Sequence, residues 1–353
     1  MATTNKIIKI LIVEDSELQR MLLLHVLTPC ETFQVIGLVK NGLEAIEALK
    51  NIKPDVVLMD LHMPKMNGVD AIRHIMSTTP LPIIAMSAST DLDEVINGFH
   101  ALEAGALAFT EKPGSIYDPR SDDLCAYLIQ TIKLMSEVKV IRRQNQPKSA
   151  SMEINPLPNP TPPTIKKDIK LIAIGVSTGG PLVLQTILSH LPADYPPILI
   201  VQHIVPGFIH GLAQWLTQVT NCLIHIAKDN QLPERGHIYF APDNYHMEVT
   251  NSGHLSLKPR LSHNEICPSV NILFNSVAMS LKDNAIGILL TGMGSDGASQ
   301  LKTMREQGAF TIAQSQATSL IYGMPGQAVA MGAACKIMSP EEIAETIASL
   351  SRG

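Results

Sequence analysis

Short runs of branched aliphatic residues recur along the 353-residue chain, separated by segments whose apolar positions return every three or four residues. That alternation constrains the fold more than any other feature, because it is the pattern of parallel strands joined by covering helices. In the first half the runs are IIKILIV, FQVIGLV, DVVLMD, PIIAMSA and ALAFT, with helical periods such as GLEAIEALK and DEVINGFHALEAG between them. In the second half they are LIAIGV, PILIVQ, AIGILL and AFTIAQ. HMEVTNSGHLSLKP reads as a hairpin turning at Asn251-Ser252-Gly253. The expected fold class is α/β, with two doubly wound parallel-sheet domains.

The boundary between them falls in RRQNQPKSASMEINPLPNPTPPTIKKD, which holds six prolines and no apolar period. Such a stretch is an extended connector. It sets an N-terminal domain at 1–141, a linker at 142–168 and a C-terminal domain at 169–353. Charge follows the same division: net -6, +3 and -2 across the three segments, from 12, 5 and 10 basic and 18, 2 and 12 acidic side chains. No folded segment is basic, which argues against a nucleic-acid footprint. No apolar run reaches membrane-spanning length, so membrane insertion is not expected. The first run ends on Glu14 and Asp15 and reads as a strand, not a signal peptide. Cys30, Cys125, Cys222, Cys267 and Cys335 are odd in number and scattered, which fits a reducing cytoplasm better than a disulfide framework or zinc site.

Chemistry in open parallel sheets gathers where the strands end. In the first half those ends carry Glu14 and Asp15, then Asp60, then Ser87, then Lys112. Three carboxylates on one edge repel each other unless a cation sits among them, and hard oxygen ligands suit Mg²⁺. A hydroxyl and a lysine beside them could bind the oxygens of a phosphoryl group on Asp60. Taken singly, Glu14 and Asp15 could merely sit before a helix beginning near Ser16.

In the second half IAIGVSTGGP breaks from an apolar run into small residues around Ser177. The glycines could cradle a phosphate or present a nucleophile. No lysine follows the glycines, as a P-loop requires, and Gly175, Gly179 and Gly180 do not supply a dinucleotide fingerprint. Gly175, Ser177 and Gly179 do form G-x-S-x-G between a strand and a helix, a context that holds a serine on a tight turn. A plain glycine turn with a capping serine is the competing interpretation. A serine nucleophile needs a base and the base an orienting acid. His203 follows PILIVQ at the same sheet edge, and Asp296 lies in TGMGSDG after AIGILL. His237 and His246, near the hairpin, read as surface or core residues. The order serine, histidine, aspartate differs from that of α/β-hydrolases.

The N-terminal set resembles a response-regulator receiver domain, a flavodoxin-like fold. By that resemblance Asp60 accepts a phosphoryl group from a histidine kinase. Glu14, Asp15, Asp60 and the backbone carbonyl of His62 hold Mg²⁺, and Ser87 and Lys112 sense the phosphate. Many receivers carry aspartate where Glu14 stands. GVSTGGP, VQHIVPGF, CPSVNILFNSVA, TGMGSDG and YGMPGQAVAMG resemble the catalytic domain of chemotaxis protein-glutamate methylesterases. The resemblance implies Ser177 as nucleophile, His203 as general base, Asp296 as its orienter, the Met293 amide in an oxyanion hole and Thr178 beside the nucleophile. It implies methyl-accepting chemoreceptors as substrate, deamidation of receptor glutamines, control by phosphorylation and no cofactor for catalysis. Cys267, Asn271, Gly326 and Asp243 depart from the family's usual residues.

Two other functions compete: a non-catalytic receiver-linked adaptor, and a receiver-controlled transcription factor, which the lack of a basic domain disfavours. Limited proteolysis should cut first within residues 142–168 and leave two resistant fragments. First cleavage inside either domain would overturn this boundary.

Overall fold

The computed structural model describes residues 6–114, 120–140, 168–262 and 265–351. The chain divides into two compact units, residues 1–152 and 153–353. Apart from Asp168, the expected linker lies outside the described residues.

The first unit contains β1 (Ile8–Val13), β2 (Phe33–Val39), β3 (Val56–Asp60), β4 (Ile83–Ser87) and β5 (Ala108–Glu111). They form one parallel sheet in the order β2-β1-β3-β4-β5. Ile10–Val13, Val56–Met59 and Ile83–Met86 are buried on both faces, which is why these strands read as continuous apolar runs. The covering helices start where small polar residues can cap them: Ser16, Asn41 and Asn67 each accept a bond from the backbone three residues on. Ser16 therefore begins its helix as expected, which leaves Glu14 and Asp15 before it at the end of β1. The strand order reverses beside β1, and that places the carboxyl ends of β1 and β3 next to each other.

The second unit begins with β6 (Leu171–Val176), β7 (Ile198–Gln202), β8 (Leu223–Ile226) and β9 (His237–Phe240). The expected hairpin follows as β10 (Tyr245–Val249) and β11 (Leu255–Pro259), an antiparallel pair of its own. Then come β12 (Ala285–Leu289), β13 (Phe310–Gln314) and β14 (Lys336–Met338). Seven strands make one parallel sheet in the order β14-β13-β12-β6-β7-β9-β8. β8, β9 and β14 are not among the strands expected from the sequence. β8 and β14 are edge strands of four and three residues with partly exposed faces, too short and too polar to stand out.

β6 is the central strand, paired with β7 on one side and β12 on the other. Above it lies the helix Val270–Leu281, whose Val270, Leu273, Phe274 and Val277 are fully buried. At about 1.5–3 kcal/mol for each such side chain, this contact fixes the helix firmly against the sheet. The approach is close because Gly175 has no side chain: a Cβ there would lie 2.2 Å from Val270 Cγ1. Gly175→Ala should therefore destabilise the second unit by about 1–3 kcal/mol through overpacking. A lower midpoint in urea with an unchanged slope would show it, and an unchanged midpoint would overturn the packing argument.

Candidate active site

Ser177 directly follows β6. Its N–H donates to Thr291 O at 3.0 Å, and its carbonyl accepts from Gly180 N at 2.9 Å. Gly179, at φ 83°, turns the chain into the helix Gly180–Leu188. Ser177 therefore does not cap that helix. It is only 9 % exposed, so the turn holds it in a recess.

The parallel register of β6 with β7 pairs Val176 with Gln202. His203 is the next residue, and its N–H donates to Val176 O at 2.9 Å. Gln202, buried and absent from the sequence-based candidates, donates its Nε2 to both Ser177 O and His203 O at 2.9 Å. One amide thus ties the serine and histidine turns together. Its position immediately before the histidine was the only signal available in the sequence.

Asp296 comes from the turn after β12. Its Oδ2 lies 3.0 Å from His203 Nε2, at an angle too bent for a full hydrogen bond. Asp296 does not cap the helix after it, where Gly297 takes that place. It sits instead at the amino end of the helix Val270–Leu281. Oδ2 accepts from Val270 N at 2.7 Å, and Oδ1 accepts from Ser269 Oγ and Asn271 N, each at 3.0 Å. Burial alone would raise its pKa, but the His203 imidazole and the two backbone amides outweigh it and hold the carboxyl below its usual value. Asp296 is thus a fixed anion beside an imidazole.

The turn carrying Met293 is suspended from buried neighbours. Thr291 N donates to Gln314 Oε1 at 2.8 Å, and Thr291 Oγ1 to Thr178 O at 2.9 Å. Gly292 passes so close to the serine that a Cβ on it would lie 2.5 Å from Ser177 Cβ. The Met293 peptide thus follows directly on the residue that touches the serine, and its side chain is 37 % exposed. Thr291 and Gln314 are further residues of the site that the sequence analysis missed.

Each of the four departures has a defined local setting. Asn271 Oδ1 accepts from Gly297 N at 3.1 Å and Ser299 Oγ at 3.0 Å, so the amide keeps an acceptor without adding a second anion beside Asp296. Asp243 accepts from Gly207 N at 2.8 Å, joining the loop after His203 to the loop after β9. Burial of Cys267, and then the Glu265 charge, push its thiol pKa up to about 11, which leaves it protonated and poorly nucleophilic at neutral pH. Gly326 lies against Tyr322, where a Cβ would come within 2.9 Å of the ring.

In the first unit, a ligand oxygen from each of Glu14, Asp15 and Asp60 lies within 4.8 Å of the others. Lys112 Nζ reaches Glu14 Oε2 at 2.7 Å and Asp60 Oδ1 at 2.8 Å. Burial, opposed by the Lys112 bond and assisted by the Asp60 charge, raises the Glu14 pKa. Burial would lower that of Lys112, but Asp60 and Glu14 prevail and raise it. One lysine faces three acids, which leaves the cluster short of positive charge. A hard divalent cation fits that deficit. Glutamate in place of aspartate still places its carboxylate in the cluster. Ser87 Oγ donates to Glu94 Oε2, a partner not evident in the sequence, and lies 3.2 Å from Ser89 O. His62 N donates to Asp60 Oδ1 at 3.3 Å.

Residues 172–347 match the CheB methylesterase family, and residues 10–118 the response regulator receiver domain family. The chain is 45 % identical over 352 residues, 98 % of each chain, to a protein-glutamate methylesterase/protein-glutamine glutaminase of Syntrophus aciditrophicus. It is 43 % identical over 348 residues, 97 % of each chain, to the protein of that name from Nitrosospira multiformis. A third, from Methanospirillum hungatei, is 41 % identical over 351 residues, 98 % of each chain. Shared along nearly their whole lengths, these likenesses establish that the chain belongs to the CheB methylesterase family, with a response regulator receiver domain at its N-terminal end.

Proposed function

We propose that Ser177, His203 and Asp296 carry out the reaction of this receiver-linked protein-glutamate methylesterase and protein-glutamine glutaminase. The observation that carries the assignment is the His203–Asp296 contact of 3.0 Å at the sheet edge where Ser177 stands. The imidazole presents Nε2 to the aspartate, so a proton kept on Nε2 leaves Nδ1 as the basic nitrogen. Nδ1 takes the Ser177 proton as Oγ attacks the γ-carbonyl of a methylated receptor glutamate. Asp296, fixed as an anion, stabilises the imidazolium that forms. The Met293 amide bonds the tetrahedral oxyanion, and Thr178 lines the approach to the serine. The C–O bond to the methyl ester oxygen breaks, and methanol leaves with the proton from His203. Water, deprotonated by the same histidine, then cleaves the acyl-enzyme and restores glutamate and Ser177. With glutamine as substrate the same steps release ammonia.

In the receiver, the chain's own residues prepare Asp60 to accept a phosphoryl group from the phosphohistidine of a kinase. Glu14, Asp15 and Asp60 would hold Mg²⁺, with the His62 carbonyl as a further oxygen ligand. The cation supplies charge neutralisation on the incoming phosphoryl oxygens. Lys112, now bonded to both Glu14 and Asp60, binds a phosphoryl oxygen, and Ser87 exchanges its Glu94 acceptor for another. Among the described residues no helix is long and apolar enough to cross a membrane. Residues of both units are thus engaged in signalling chemistry, and the cytoplasm is the compartment that unites kinase, receptor helices and enzyme.

Ser177→Ala should abolish methanol release from methylated receptor. Asp296→Asn should lower kcat by about 10⁴, the scale of losing the orienting anion in a triad. Near-normal turnover by the serine variant would rule out covalent catalysis at this residue. Labelling of the protein by acetyl phosphate should require Mg²⁺, cease with EDTA and vanish in Asp60→Asn. Labelling that persists in EDTA would overturn the cation assignment.

A further inference from the structure

His246 takes no part in the chemistry above, yet it is 4 % exposed on β10, in the hairpin that stands apart from the main sheet. Both of its ring nitrogens are engaged. Nε2 meets Glu265 Oε1, and Nδ1 is the acceptor for the backbone N–H of Ser269 at 3.2 Å. A peptide N–H only donates, so Nδ1 carries the lone pair and Nε2 carries the proton directed at the carboxylate. The two partners thus select a single tautomer.

Ser269 is where this arrangement meets the active site. It precedes the helix Val270–Leu281 in extended conformation, and its side chain does not cap that helix. Its hydroxyl bonds Asp296 Oδ1 instead, and the next two amides bind the same carboxylate. Asp296 thus accepts the first helical amides that a capping side chain would take, and the His246 bond holds the amide of Ser269 just before them. A connected series runs from Glu265 through His246 and Ser269 to Asp296 and His203.

We propose that His246 is a positioning residue for ester hydrolysis. By holding the Ser269 amide it aims the three donors of residues 269–271, and through them the Asp296 carboxylate, at His203. The inference rests on the assignment of Asp296 as the acid that orients His203. Glu265 extends the same role outward, since it holds the His246 ring in the tautomer that can accept.

The test compares His246→Ala, His246→Asn and Asp296→Asn in the full-length protein, measuring kcat and KM for methanol release alongside the urea midpoint. Small misplacements at a reacting centre cost up to about a hundredfold, and His246→Ala should lose about tenfold in kcat with KM within about twofold. Asparagine carries Oδ1 where histidine carries Nδ1, accepts the same Ser269 bond and should recover most of the turnover. A role in bulk packing alone would leave kcat of the folded fraction unchanged. The proposal is overturned if His246→Ala keeps wild-type kcat, if its loss falls in KM alone, or if His246→Asn is as slow as alanine when both are folded. Should His246→Ala fail to fold, Glu265→Leu at the half-buried end of the series decides: a lowered kcat supports the proposal and an unchanged one sinks it. Wild-type turnover in Asp296→Asn would defeat the assignment of the orienting acid itself. A slow Asp296→Asn beside unaffected His246 variants would defeat only the positioning role.

Discussion

The parallel pairing of β6 with both its neighbours is the constraint on which the second unit depends. Because strands in parallel register end together, the residues that follow β6, β7 and β12 emerge on one edge of the sheet. None of Ser177, His203 and Asp296 is placed by its own local sequence. Ser177 and His203 are held by backbone bonds, Ser177 N to Thr291 O and His203 N to Val176 O, and the Asp296 carboxylate by the amides of a helix that rests on β6 through Gly175. Loosening the strand would separate all three.

The two units apply one architecture to opposite electrostatic ends. The receiver gathers Glu14, Asp15 and Asp60 at its strand ends and supplies a single lysine, leaving excess negative charge that calls for a divalent cation. The second unit gathers one carboxylate and surrounds it with donors, so Asp296 stays ionised without a metal. The difference lies in what the neighbouring backbone offers. Where a helix amino end faces the acid, charge is absorbed by N–H groups. Where further acids face it, that charge stays unabsorbed by the backbone and suits a hard cation.

How much of this the sequence discloses depends on range. The buried strands are legible because both faces are apolar, and the strand-end residues are legible because strand ends can be counted. The edge strands β8 and β14 are not, being short and half exposed. The residues that hold the site together are harder still. Gln202 is adjacent to His203, but it acts on Ser177, 25 residues earlier. Ser269 meets Asp296 across 27 residues, and Gln314 meets Thr291 across 23. Glutamine and serine at such positions carry no periodicity or charge signal, and only the tertiary fold gives them partners. Ser87 and Glu94 are seven residues apart, yet their bond depends on how a helix is set against its strand. The same holds for Asn271, whose departure from the family's usual residue looks chemical in the sequence and proves to be a matter of acceptor geometry.

The central place of β6 also bears on how the molecule comes into being on the ribosome. Thr178, beside the serine, is bonded to Thr291, 113 residues further along the chain. At about 5–20 residues per second, several seconds or more of translation separate the two. During that interval β6 lacks one of its neighbours, and a contact of such sequence separation is slow to close once it becomes possible. The receiver's five strands, by contrast, are complete by Glu111. Synthesis therefore delivers the receiver first and the esterase last, so the nascent chain completes its receiver before its catalytic unit can close.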